Sequence, residues 1–365
     1  MDFFHTHVAS KAVTLATETL ESGWLSEGAR VKAFEQALIS KLGLARPVAV
    51  NSGTAALHLA LAVAGVTSGD EVVLPAQTFV ATGTSILMAG ATPVFADIDP
   101  TTGNLSPTAV RACITERTRA IIPVHWGGYP CDMEELAAVA APVEAVVIED
   151  AAHALGATYR GRPIGAVSPL TIFSFQAIKH LTTGDGGALC CGTAEYERAV
   201  RARRWFGIDR AKSEPSILGE RLYDLEDLGF KYHMNDLAAA VGLGNLSDFP
   251  GRLSTRRETG ARYRDELADV AGVTLLDIQP DREHAYWLFT LLVQRREDFI
   301  RKLAAEDSPS SIVHRRIDGN TVLGGVREGL VGQERFGASQ ISIPVHEGLT
   351  EDDVARVIGV IRSGW

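Results

Sequence analysis

The chain has 365 residues, a hydrophobic share of 46% and a formal net charge of −10 at pH 7. That length supplies about two domains of roughly 150 residues, and the acidic balance argues against nucleic acid as a partner. No apolar run approaches the roughly 20 residues needed to cross a bilayer, and the opening MDFFHTHVASKAVTL lacks the basic-then-apolar pattern of a signal peptide.

Short apolar, β-branched runs alternate with helical patterns through the first two thirds of the chain. PVAVN (47–51) reads as a strand leading into the helix TAALHLALAVAG (54–65), followed by strands DEVVLP (70–75) and TPVFAD (92–97). The next helix, 106–116, has Ser106 as its cap and Pro107 at its first position, where a missing N–H costs nothing. After the strand RAIIPVH (119–125), Asp132 with Glu135 three residues on predicts a capping box for DMEELAAVA. Strands AVVIED (145–150), LTIFSF (170–175) and GGALCC (186–191) complete the series. Nearly uniform apolar strands between helices predict a mostly parallel sheet covered on both faces, with ligands at the strands' carboxyl ends. Three strands end there in Asn51, His125 and Asp150.

Past residue 194 the pattern changes. A basic helix, EYERAVRARRW, leads into an irregular polar loop from Gly207 to Asp227, and its Arg201, Arg203 and Arg204 read as a solvated face. Helices are expected at 235–246, 252–272, 296–306 and 350–364, with a strand over AYWLFTLLV (285–293). The expected organisation is a large α/β domain, residues 1–248, and a smaller α+β domain, residues 249–365. Cys113, Cys131, Cys190 and Cys191 lack the spacing of a zinc site and fit a reducing cytoplasm. Neither the HTH at 5–7 nor the DID at 97–99 has partners at metal-ligand spacing, so no metal is expected.

Three segments carry candidate chemistry. In NSGTAAL (51–57), Ser52, Gly53 and Thr54 open a helix, where free N–H groups and the macrodipole favour a phosphate; Ser52 is equally a plain cap. In VVIEDAAHALGA (146–157), Asp150 ends a strand with His153 three residues on, and a carboxylate at that depth needs a cation, a cap role or several donors. In FSFQAIKHLTTGDGG (173–187), Lys179 has no acid within four residues: it is either a snorkelling lysine or a desolvated amine suited to an aldehyde. Ser174 offers a further hydroxyl to a phosphate. Together, phosphate donors, an aspartate for a ring nitrogen and a lysine for an aldehyde specify pyridoxal 5′-phosphate (PLP).

With PAQTFVATGTSILMAGATPVFADID, PVHWGGYPCDM and GFKYHMNDLAAAVG, these segments resemble the DegT/DnrJ/EryC1/StrS aminotransferases. The resemblance runs from about residue 20 to 270, and more loosely to ISIPVHEGLTEDDVARVI. It implies a fold-type-I PLP-dependent transferase acting mainly on nucleotide-linked keto sugars, with L-glutamate as amino donor. Catalysis would fall to Lys179, which joins the cofactor's aldehyde, and Asp150, which pairs with the pyridinium nitrogen. Gly53, Thr54 and Ser174 would hold the phosphate, Phe79 would stack on the ring, and His153 would stand where relatives have glutamine near the phenolic oxygen. Relatives that replace the lysine with histidine are sugar dehydratases, whereas this chain keeps Lys179 beside His180. Many relatives read GFNYRM and reach the neighbouring subunit's phosphate with the asparagine. Here Lys231 and His233 take the asparagine and arginine positions, and the contact, if kept, makes a homodimer necessary. His314, Arg315 and Arg316 are the candidates for the substrate's diphosphate, since guanidinium groups match phosphate oxygens. Two rivals stand beside this expectation. One is another PLP reaction, such as dehydration or amination of a cyclitol or other carbocyclic ketone. The other is a non-catalytic PLP-binding or regulatory protein.

Overall fold

The structure, a computed structural model, describes residues 1–209 and 212–365. All seven expected strands join one sheet. Its order is Pro47–Val50, Gly187–Cys191, Leu170–Ser174, Val146–Asp150, Thr118–Ile121, Glu71–Pro75 and Thr92–Ala96. Only Gly187–Cys191 runs against its neighbours; every other pairing is parallel. Alternation along each strand feeds two cores. Val73, Ile121 and Val147 pack with Phe34 and Leu38 on one face, while Val72, Leu74, Ile122 and Ile148 pack with helix Gly53–Val63 on the other. Burial on both faces is why these strands read as unbroken apolar runs.

Beyond Phe249 the chain forms the long helix Phe249–Leu267 and a three-stranded antiparallel sheet of Val273–Leu275, Phe289–Val293 and Gln340–Ile343. A separate core of Tyr263, Phe289, Leu291, Phe299, Ile341 and Val357 joins that sheet to the helices Arg296–Ala305 and Glu351–Arg362. No helix among the described residues is long and apolar enough to cross a membrane.

Several expectations are corrected. Ser106 does cap its helix, accepting from Ala109 N–H at 3.4 Å, but Asp132 makes no cap bond and pairs instead with Arg282 at 2.8 Å. The capping box lies elsewhere, between Thr350 and Asp353. The strand expected from residue 285 begins only at Phe289, because Tyr286 adopts a left-handed φ of 49° that no strand accepts. Arg201, Arg203 and Arg204 are not a solvated face: Arg204 is buried against Glu27 and Glu35, and Arg201 pairs with Glu35 at 2.9 Å. The loop after Gly207 contains a short hairpin, Glu214–Pro215 with Arg221–Leu222. Residues 210 and 211 of that loop lie outside the described residues.

One ion-pair cluster binds the long helix to the lysine-bearing loop. Arg252 donates to the carbonyls of His180 (2.6 Å) and Asn245 (2.7 Å), and Asn245 donates to Thr182 O at 2.9 Å. Glu347 accepts from Arg252 (3.3 Å) and Arg256 (2.8 Å). Burial pushes the Glu347 carboxyl up, but Arg256 and Arg252 outweigh it and hold the group below the ordinary carboxylate range. Replacing Glu347 with Ala strands the Arg256 guanidinium, and urea unfolding is expected to show a loss of about 3 kcal/mol. Because the folded carboxyl is depressed, the pair's contribution is complete at neutral pH and fades as pH falls through the depressed value. The stability difference between Glu347→Ala and the parent should therefore shrink in acid.

Candidate active site

A cavity of about 360 Å³ opens at the carboxyl edge of the sheet. The antiparallel strand brings its first residue to that edge: Gly187 pairs with both Val50 and Ser174. Helix Gly53–Val63 and the segment after Ser174 therefore meet side by side. A Cβ on Gly53 would lie 2.9 Å from Ser174 Cβ, so only glycine permits the approach. Ser52 caps the helix by accepting from Ala55 N–H (3.0 Å), and Ala56 N–H bonds Ser52 O (3.1 Å). This leaves the N–H groups of Gly53 and Thr54 at the helix start, beside the hydroxyls of Thr54 and Ser174 in the cavity lining.

Asp150 closes the strand Val146–Asp150 and faces the same cavity, buried. Thr82 donates to its Oδ2 at 2.8 Å and Ala152 N–H to its Oδ1 at 3.2 Å. Burial raises its pKa above the ordinary value, opposed by those two donors and by Lys179. Lys179 projects from the loop after Ser174, held by its own N–H on Gln176 O at 2.9 Å. The amine is enclosed by protein except toward the cavity, and that desolvation lowers its pKa to about 7 despite the attraction of Asp150. At neutral pH a large fraction of Lys179 is thus an uncharged nucleophile.

Two further walls come from distant sequence. Trp287 places its ring centroid 3.7 Å from Lys179 Nζ, stacks on His153 at 3.8 Å, and donates from Nε1 to Ile178 O at 3.0 Å. His314 stacks parallel to His153 at 5.6 Å and lies 5.3 Å from the ring of Phe79, which caps helix Val80–Met88 at the cavity mouth. Val313 just before it holds φ at 22°, a strained backbone for a β-branched residue. Burial pushes both imidazoles down, with Lys179 adding to the shift, His314 to about 4 and His153 well below its usual range. Nδ1 of His153 and Nε2 of His314 are buried without a hydrogen-bond partner. Buried polar atoms without partners are rare and point to a ligand that satisfies them.

Among the expected site residues, Gly53, Thr54, Phe79, Asp150, His153, Ser174, Lys179 and His314 converge on this cavity. Lys231 does not line it; it is exposed, its Nζ 6.0 Å from the Trp205 ring. Arg315 and Arg316 line an adjoining recess with Phe79, His314 and Asn320. Arg316 is already committed to Asp318, donating from Nε at 2.8 Å and Nη2 at 2.6 Å. Arg315 is exposed and has no hydrogen-bond or ion-pair partner among the described residues. His125 turns away from the cavity: its Nδ1 accepts from Cys131 N–H (3.0 Å), so its Nε2–H donates to Glu149 (2.8 Å). His180 bonds Leu155 O at 3.0 Å and is also outside the lining. The sequence reading missed Trp287 and Thr82, which carry no local signal beyond an apolar neighbourhood. Asp97 of the DID accepts from the N–H groups of Gly332 and Gln333 (2.7 and 2.8 Å), a helix-capping role.

These donors fit PLP: two open helix N–H groups and hydroxyls for a phosphate, a buried carboxylate for a ring nitrogen, and a desolvated amine for an aldehyde. Comparison with known proteins agrees. The sequence profile of the DegT/DnrJ/EryC1/StrS aminotransferase family matches residues 7–362. GDP-perosamine synthase of Caulobacter vibrioides is 35% identical over 94% of this chain and 92% of its own. The crystal structure of sugar aminotransferase CalS13 from Micromonospora echinospora is 37% identical over the whole of both chains, with a TM-score of 0.95. The PLP form of the sugar aminotransferase Spr1654 from Streptococcus pneumoniae is 28% identical over 100% of this chain and 98% of its own, with a TM-score of 0.92.

The desolvated amine has a measurable signature. In cofactor-free protein, reductive methylation of Lys179 followed by peptide mass spectrometry should rise with a midpoint near pH 7. An ordinary lysine becomes reactive only as pH approaches about 10.4. Labelling of Lys179 that begins only in that alkaline range would show that the amine is not desolvated.

Proposed function

Because the chain belongs to the DegT/DnrJ/EryC1/StrS aminotransferase family and is a PLP-dependent transferase, we propose that it moves the amino group of L-glutamate onto a nucleotide-linked keto sugar. The observation that carries this reading is that the Lys179 amine faces the same cavity as the Asp150 carboxylate and an open helix start. Bound PLP supplies an electron sink for the pair left behind when a proton leaves the carbon next to an amine.

The protein's own groups do the rest. Gly53 and Thr54 N–H groups, with the hydroxyls of Thr54 and Ser174, hold the cofactor's phosphate. Asp150 keeps a proton on the ring nitrogen by offering it an anionic acceptor. Burial keeps His153 neutral, and its unpartnered Nδ1 would be offered to the phenolic oxygen, while Phe79 in the cavity lining would cover the ring. Lys179 Nζ, uncharged when free, would take the proton from the donor's amine-bearing carbon as a general base and give it back, as a general acid, to the carbon on the far side of the shared nitrogen. Trp287 excludes water from that amine. With the keto sugar in place of 2-oxoglutarate, the same groups run the transfer in reverse.

The diphosphate of the sugar substrate is assigned to the recess of Phe79, His314 and Arg315, where Arg315 carries an uncommitted guanidinium. Arg316 supports that segment through Asp318 instead of meeting the ligand. GDP-perosamine synthase, by its name a maker of a nucleotide-linked amino sugar, lends support. Lysine, not the dehydratases' histidine, occupies the cavity, and His180 bonds a backbone carbonyl, which favours transamination over dehydration.

A homodimer is part of this reading. Ile217, Leu218, Tyr223, Leu225 and Leu228 stand exposed along the loop after Gly207, and Trp24 is 64% exposed. Exposed large apolar side chains of this kind support an interface, and on this reading Lys231, outside its own cavity, meets the partner's phosphate. Four unpaired cysteines suit a reducing cytoplasm.

Purified protein with PLP and L-glutamate should release 2-oxoglutarate, and a panel of nucleotide keto sugars should sustain turnover. Lys179→Ala should abolish both while leaving the circular-dichroism spectrum intact; full activity in that variant would sink the assignment. Arg315→Ala should raise KM for the nucleotide sugar by about tenfold, the scale of one charge-assisted hydrogen bond, and leave 2-oxoglutarate release from glutamate unchanged.

A further inference from the structure

The cavity lining includes a pair of hydroxyls with no role in the chemistry described so far. Thr78 precedes helix Val80–Met88 and Thr82 sits in its first turn, four residues on, and both are fully buried. Their Oγ1 atoms are 2.8 Å apart, and Thr82 Oγ1 is 2.8 Å from Asp150 Oδ2. The carboxylate has no proton to give, so Thr82 donates to Asp150. A hydroxyl has one proton, so Thr78 must then donate to Thr82. The result is a directed chain, Thr78 O–H to Thr82 O–H to Asp150.

Asp150 is otherwise thinly supported. Its Oδ1 accepts a single bond, from Ala152 N–H at 3.2 Å. Lys179, from the neighbouring loop, and His125, from the segment after Thr118–Ile121, are the other charged or titratable groups acting on it. His125 is turned to Glu149, and both of those side chains are fully buried. Nδ1 of His153, three residues on, has no hydrogen-bond partner among the described residues. Among the described residues, the hydroxyl chain is therefore the one side-chain donor hydrogen-bonded to the carboxylate.

We propose that Thr82, polarised by Thr78, is a positioning residue. It orients Asp150 and keeps it ionised, so that one Oδ2 lone pair and the free side of Oδ1 remain available to the cofactor's ring nitrogen. A hydroxyl that itself accepts a bond is a stronger donor, and a donor to the charged form of an acid favours that form. The spacing is a local one: the i, i+4 geometry at a helix start aligns the two oxygens.

This inference rests on the assignment of Asp150 to the ring nitrogen, and the experiment separates the two. PLP binding to cofactor-free protein is followed by quenching of tryptophan fluorescence between about pH 3.5 and pH 9, a range that spans carboxylate and imidazole titration. Thr82→Val keeps the shape and removes the donor. Its PLP affinity at neutral pH should fall about tenfold, the usual worth of one hydrogen bond to a charged group. Loss of the donor raises the Asp150 pKa, so the carboxylate protonates at a higher pH. The acid-side midpoint of binding should therefore move upward by about half to one unit. Thr82→Ser, which keeps the hydroxyl, should bind like the parent, as a purely structural role for the methyl group would not allow. Thr78→Val should shift the midpoint the same way by a smaller amount, and it carries the test if Thr82→Val does not fold. Parental affinity and midpoint in Thr82→Val, or in Thr78→Val where only that variant folds, overturn the hydroxyl chain. If Asp150→Asn also keeps the parental affinity and profile, the Asp150 assignment itself fails; if Asp150→Asn is impaired, only the chain does.

Discussion

The constraint on which the rest of this structure depends is the enclosure of an amine and a carboxylate in one cavity largely removed from bulk water. Each group alone is costly there: burial drives Lys179 toward its neutral form and Asp150 toward its protonated one. Their mutual attraction opposes both shifts. The balance leaves a lysine that is half neutral near pH 7 and an aspartate that relies on designated donors. A solvated lysine would be protonated and unreactive, and a carboxylate without donors would lose its charge. The fold supplies the enclosure.

Parallel topology puts both groups at the same edge. Asp150 ends one strand, Ser174 ends its parallel neighbour, and the reversed strand starts at that edge with Gly187. The reversal brings Gly53 and Ser174 into contact and sends the lysine loop back across the sheet edge through Gly186 and Gly187. The smaller core contributes the other side. Trp287 and His314 each follow a residue in the left-handed region, Tyr286 and Val313. Strain of order 1–3 kcal/mol at such positions persists only where surrounding packing enforces it. Here the packing is continuous: Phe4 stacks on Trp287, and Trp126 and Phe336 pack into the same cluster.

Much of this was readable from residues alone. The seven strands were legible because both sheet faces are covered, which makes each strand an unbroken apolar run. The core of the site was legible because its parts are local motifs: a Ser-Gly-Thr helix start, an aspartate at a strand end, a lysine in a run without acids. What misled the reading was local too. Asp132 has the spacing of a cap but a stronger partner in Arg282, 150 residues away. Arg204 looks like one of a solvated row until Glu27 and Glu35 are seen to surround it. Side chains choose partners by proximity in space, and sequence spacing reports only the neighbours on the same element.

The sequence by itself determined the family, the alternating α/β architecture, the cofactor and the candidate residues that meet in one cavity, because each is written in contiguous segments whose chemistry is local. Tertiary structure alone decided which groups act together. It placed Trp287 over Lys179, set two threonines behind Asp150, committed Arg316 to Asp318, and left Arg315 open beside Phe79 and His314. It also decided how strongly each group holds its proton. The physical reason is that desolvation and hydrogen bonding depend on everything within a few ångströms, and the residues that close to the site come from several separate segments of the chain.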